Sequence, residues 1–145
     1  MAPNRRAKFY AARCESMRKQ VLTAAFSILG TAVLLGTALF VLHLRPGQTA
    51  APPPLAALHG LLGIGGLLCL ILALRNAPLR PGHGTASFGT ISAVLIAVAA
   101  LLGGGILAMR LVKSPGKRSR AGALIAVHAT VAVSGFVILA AYVLV

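Results

Sequence analysis

The chain has 145 residues, 58% of them hydrophobic and only 10% charged, with fourteen Lys and Arg against one acid and a formal net charge of +13. A soluble domain carries about a quarter charged residues, so the apolar surface of this chain is expected to be buried in lipid. The basic balance does not indicate nucleic acid, because every cation lies outside the long apolar stretches, at positions where lipid headgroups would meet it.

Residues 1–20 are basic and polar, with Phe9, Tyr10 and Met17 interspersed, and read as an interfacial arm on the membrane surface. Residues 21–145 read as one membrane domain. Its spans are expected at about 21–44, 55–74, 88–109 and 121–145, none of which contains Lys, Arg, Asp or Glu. About 20 apolar residues cross the hydrocarbon of a bilayer. The first span is too long for the apolar region of a signal peptide. Linkers rich in proline or glycine separate the spans: Arg45–Pro54 reads RPGQTAAPPP, and Arg75–Ser87 and Arg110–Arg120 also hold both residue types. Such short linkers make consecutive helices antiparallel neighbours. The predicted fold is therefore all-α, an integral membrane bundle of four helices running up-down-up-down. Long apolar runs without alternation exclude a β-barrel.

An even number of spans puts both termini on one side. That side collects eight cations and Glu15, against six on the other. The positive-inside rule then predicts cytoplasmic termini. The bias toward Ala, Gly, Pro, Leu and Arg suggests a GC-rich bacterial genome, and with the four spans the expected location is a bacterial inner membrane. Small residues recur at steps of four, as in Ala100, Gly104 and Ala108 or in Gly122, Ala126, Thr130 and Ser134, and form ridges suited to close helix contact.

The second and fourth spans run in the same direction, and each carries a histidine near its start. His59 lies four residues past Leu55, and His128 seven past Ala121. At 1.5 Å per residue their depths differ by only about 4–5 Å. Ionisable residues inside a membrane are scarce and mark functional sites. Steps of four and seven stay on one helix face. They lead from His59 to Gly63 and Gly66, and from His128 to Ala132 and Gly135. Each histidine thus heads a smooth strip, as a flat macrocycle between two helices requires. Arg45 and Arg110 end the first and third spans on the same side, where anionic propionates would need cations.

On these residues the chain resembles a small four-helix membrane cytochrome b. The resemblance covers all four spans and rests on architecture and two histidines. It implies one b-type haem with His59 and His128 as axial ligands to the iron. Gly63, Gly66, Ala132 and Gly135 would line its faces, and Arg45 and Arg110 would meet its propionates. The expected role is then a subunit of a respiratory or photosynthetic electron-transfer complex, with other membrane subunits and a quinone as partners. Other readings of the same residues stay open. Either histidine could bond a carbonyl, hydroxyl or interfacial water, ligate a chlorophyll magnesium or contact a quinone; His43 is a further quinone candidate. The whole chain could be a cofactor-free accessory subunit. An oligomeric transporter or channel would need a polar ring that the spans lack.

Several chemistries have no candidate residues. No span holds the carboxylate that proton-coupled carriers use. There is no Ser-His-Asp order, phosphate-cradling loop or C-x-x-C-H attachment motif. Catalysis on a soluble substrate is not expected of this chain alone.

Overall fold

The computed structural model describes residues 5–45, 52–75, 85–111 and 118–144. They form four helices: α1 (Arg5–Leu44), α2 (Pro53–Arg75), α3 (Thr85–Leu111) and α4 (Arg118–Leu144). Each contains a segment long and apolar enough to cross a membrane, and there is no strand among the described residues. Most of the linkers, with His83, lies outside the described residues.

The helix ends follow from local chemistry. Pro53 and Pro54 occupy the first turn of α2, where a missing N–H costs nothing. The carbonyl of Pro52 receives the amides of Leu55 and Ala56 at 3.1 and 3.2 Å. At the end of α1 the Arg45 amide turns back to the Leu42 carbonyl at 3.3 Å, a tight closing turn. The basic N-terminal segment does not break from the first span: α1 is one helix of 40 residues. No Gly or Pro interrupts it between Arg5 and Phe26. Spacings of four add local support, with Lys19 Nζ 3.2 Å from Glu15 and the Arg13 guanidinium 5.7 Å from the Phe9 ring centre.

The register of side-chain contacts gives the packing. His59 of α2 lies against Ala32 and Gly36 of α1, and Gly66 against Ile28 and Leu29. Numbers rise on one helix as they fall on the other, so α1 and α2 are antiparallel. The same holds for α3 and α4, where His128 meets Ala99 and Gly103, and Gly135 meets Leu95 and Ile96. The two hairpins join through α1 against α4 and α2 against α3. This leaves α2 and α4 on a diagonal of the bundle. They run parallel, since His59 and His128 share one level while Leu74 and Tyr142 share another, beside Gly89.

The hairpins repeat one another. Ala32 and Gly36 of α1 correspond to Ala99 and Gly103 of α3, and both pairs lie within the pattern A-x-L-L-G. His59, Gly66 and Leu70 of α2 correspond to His128, Gly135 and Leu139 of α4. Burial follows the repeat. Leu70 and Leu139 are both fully buried, as are Ala25 and its counterpart Ser92. Leu34 and Leu101 both face outward, at 72% and 78% exposed, where lipid would cover them.

The core is concentrated at one end. Ala25, Leu29, Leu70, Ile96 and Leu139 form it, with Phe26 and Phe136 stacked alongside at 5.1 Å. Gly66 and Gly135 permit this density. A Cβ on Gly66 would lie 2.6 Å from Leu29 Cγ, and one on Gly135 3.0 Å from Ile96 Cγ1. Outward hydroxyls are satisfied within their own helices: Thr31 and Thr130 bond the carbonyls four residues back at 2.9 and 3.0 Å.

Candidate functional site

Every buried residue of the described chain lies level with the two histidines or on the core side of them. Beyond that level, residues 33–44, 53–58, 100–109 and 122–127 contain no buried residue. The histidines thus sit where a dense core gives way to a loosely filled bundle interior.

Each imidazole is fixed by the partner helix of its own hairpin. His59 Nδ1 is 2.8 Å from the Ala32 carbonyl oxygen, and His128 Nδ1 is 2.8 Å from the Ala99 carbonyl oxygen. A carbonyl only accepts, so Nδ1 carries the hydrogen in both rings. In the neutral imidazole Nε2 then keeps its lone pair. In an α-helix the carbonyl of residue 32 also receives the amide of residue 36. A side chain at 36 would cover that carbonyl from the side. Gly36 leaves it open: a Cβ there would stand 2.8 Å from His59 Cε1. Gly103 does the same for Ala99, with a Cβ 3.1 Å from His128 Cε1.

The two rings meet on the bundle diagonal. Their centres are 6.0 Å apart and their planes cross at 85°. The sequence placed these residues at one depth, and the structure brings them together. The flanking small residues have separate positions. Gly63 looks into open space, while Gly66 and Gly135 are closed by the opposite helix and belong to the core. Ala132 is half-buried. Arg45 is exposed just past the end of α1, at the histidine end. Arg110 is in the last turn of α3 at that same end, with its side chain outside the described residues. Gly36 and Gly103 have the closest approach to the rings. Their signal in the sequence is the repeated A-x-L-L-G, each copy one helix ahead of a histidine.

Among the described residues no three His, Cys, Asp or Glu side chains gather to hold a bare ion. A tetrapyrrole iron needs only two protein donors, because the macrocycle supplies the other four. The donor types are those such a group would use: two imidazoles, each oriented through Nδ1 by a backbone carbonyl.

No protein-family model, curated protein or solved structure matches the chain. Fold and site therefore define the class: an apolar four-helix bundle of two repeated hairpins, with one histidine from each meeting at the centre.

Proposed function

We propose that the protein is a small cytochrome b-like membrane subunit that holds one b-type haem between His59 and His128 and passes electrons within a larger respiratory or photosynthetic complex. The observation that carries this reading is the ring pair itself, with centres 6.0 Å apart and both Nδ1 atoms committed to carbonyls. The bound haem would supply a one-electron couple at its iron. The chain's residues would do the rest. His59 and His128 ligate, Ala32 and Ala99 orient, and Gly36 and Gly103 give the rings room. Arg45 and Arg110 stand at the end where propionates would emerge. With two histidines as its protein ligands, such a haem would favour electron transfer over chemistry on an exogenous ligand.

The Lys and Arg distribution supports cytoplasmic termini, and the compositional bias supports a bacterial inner membrane. The histidine end would then lie toward the outer face, and a quinone or periplasmic donor would approach there. The test is the absorption spectrum of detergent-purified protein, oxidised and then reduced with dithionite, with haem quantified as its pyridine complex. Sharp reduced α and Soret bands at one haem per chain are expected. A colourless folded protein from haem-replete cells removes the reading.

A cofactor-free accessory subunit is the second reading, and one observation favours it. Gly60 and Gly104 are exposed with no neighbour within 4 Å of a built Cβ, so small residues on α2 and α3 face outward without a partner. Under this reading Gly104→Leu would impair copurification with a larger assembly more than any histidine change.

A further inference from the structure

We propose that the N-terminal turns of α1 are a docking helix for a water-soluble partner that offers an acidic, apolar-lined groove. The proposal needs no cofactor at the histidines and concerns the opposite end of the bundle.

The packing register shows how far α1 outruns its neighbours. Gly66 of α2 lies against Ile28 and Leu29 of α1, so Arg75, the last residue of α2, stands level with Lys19 and Gln20. Leu74 and Tyr142 flank Gly89 near that level, and α3 begins and α4 ends within about one turn of it. Arg13 and Arg5 then lie about 10 and 22 Å beyond the last turn of α2, at 1.5 Å per residue. Among the described residues no other helix accompanies them.

This projecting length carries Arg5, Arg6, Lys8 and Arg13 against Glu15, whose carboxylate is already 3.2 Å from Lys19 Nζ. Glu15 is the only acidic side chain of the whole sequence. Neither this chain nor a second copy can therefore neutralise the arm, and the compensating charge has to come from another molecule. The apolar residues say more about that molecule. Phe9, Tyr10, Arg13 and Met17 follow Arg6 at steps of three, four, seven and eleven. At 100° per residue the five fall within an arc of about 100°. All are exposed, Phe9, Tyr10 and Met17 at 63, 64 and 58%. The Phe9 and Tyr10 rings meet edge to face at 6.2 Å, with the Arg13 guanidinium over Phe9. Aromatic and arginine side chains are the usual anchors of interfaces, and a helix lays such anchors into a groove at this spacing.

An anionic lipid surface would supply the charge but does not suit the geometry. An interfacial helix lies in the plane of the headgroups, which requires a bend near residue 19. Sharp bends arise chiefly at proline or glycine, and neither occurs between Arg5 and Phe26. Standing upright, the arm passes through a headgroup zone only about 5–8 Å deep. The attraction of the lipid surface decays over about 8 Å at physiological salt. Arg13 and everything before it stand beyond that reach.

Two experiments on the full-length protein test the proposal. In the first, a fluorophore on Cys14 of a Cys69→Ala protein is read in nanodiscs of phosphatidylglycerol and phosphatidylcholine containing a headgroup-level quencher lipid. No quenching is expected, and strong quenching overturns the proposal by placing the arm on the lipid. In the second, a benzoylphenylalanine photoprobe replaces Phe9, Tyr10 or Glu15 in the native host, with membrane yield as the check on folding. Residues 9 and 10 should crosslink to one soluble protein, through a peptide that is acidic and apolar. Residue 15, on the opposite side of the helix, should not. With the probe at residue 10, Arg13→Gln or Phe9→Ala should lower the adduct roughly tenfold. Adducts to lipid alone, equal adducts from both sides of the helix, no protein adduct at all, or an adduct indifferent to Arg13→Gln and Phe9→Ala each overturn the proposal.

Discussion

His59 and His128 meet at a ring separation of 6.0 Å although their helices occupy opposite corners of the bundle, with no Cα of one within 8 Å of the other. Only the side chains bridge the diagonal. Each is tied to the helix beside it, His59 to α1 and His128 to α3. The meeting point therefore needs both hairpins in register. In lipid, where apolar surfaces gain little by touching one another, that register comes from close packing and hydrogen bonds. The tight glycine contacts on the core side provide the packing.

Under the proposed haem reading, replacing either histidine by alanine is expected to abolish haem binding while leaving the bundle in the membrane. Neither ring belongs to the buried core, which lies toward the other end. Loss of an outer-sphere partner already costs roughly 10–100-fold in metal affinity, and loss of an axial ligand should cost at least that. Haem per chain after purification measures the effect, and membrane yield checks that the protein persists. Haem-replete His59→Ala and His128→Ala proteins would exclude the pair as ligands.

The glycines should separate into two groups by stability. Gly66→Ala drives a Cβ to 2.6 Å from Leu29 Cγ, within a side chain only 4% exposed. Overpacking of this kind costs about 1–3 kcal/mol. Gly135→Ala should behave similarly, since its contacts include the Ile96 backbone nitrogen at 3.3 Å. Gly60→Ala meets open space, and relief of glycine's entropy cost should leave it neutral or stabilise it by up to about 1 kcal/mol. Thermal unfolding in one detergent, compared across the three variants, checks the order.

The four spans were legible because charge is absent from them and proline falls between them. The histidine pair was legible through depth alone, by counting residues from the start of each span. Helix rotation was not. The step from His59 to Gly63 drifts about 40° around the helix, and that drift leaves Gly63 half-buried beside open space while Gly66 packs against α1. Gly36 and Gly103 were hidden for a different reason. They lie on helices without a histidine, and their task appears only once a carbonyl four residues earlier is seen to accept a second hydrogen bond. The repeat was masked by unequal spacing, 67 positions from Gly36 to Gly103 but 69 from His59 to His128. The basic arm is marked in the sequence by a change of polarity at residue 20, and α1 continues through that change without a break.

Ser92 tests how far the two hairpins are interchangeable. Its hydroxyl donates to the Gly135 carbonyl at 2.9 Å in a fully buried setting. The corresponding position in the first hairpin is Ala25, equally buried and without a hydroxyl. Ser92→Ala leaves no orphan, because the Gly135 carbonyl keeps its bond within α4. Hydrogen bonds between membrane helices average about 0.6 kcal/mol, and a loss of that order is expected. A loss several times larger would mean that the second hairpin depends on a polar lock for which the first has no equivalent.

Membrane orientation should depend on the N-terminal turns of α1. Arg5, Arg6, Lys8, Arg13, Arg18 and Lys19 precede the first span, and without them the termini side keeps only Arg75 and Arg80. The opposite side, with Arg45, Arg110, Lys113, Lys117, Arg118 and Arg120, then holds the excess of positive charge. Orientation follows the Lys and Arg bias of short loops and residues near span ends. A reporter fused after Val145 should therefore read cytoplasmic in the native chain. It should shift toward the outer face when the six N-terminal cations are changed to glutamine. Arg13→Gln or Arg18→Gln alone should produce little shift, since the rule counts an aggregate bias. A native fusion that reads outside would reverse the proposed orientation and put the histidine end, with its candidate propionate partners, on the cytoplasmic face.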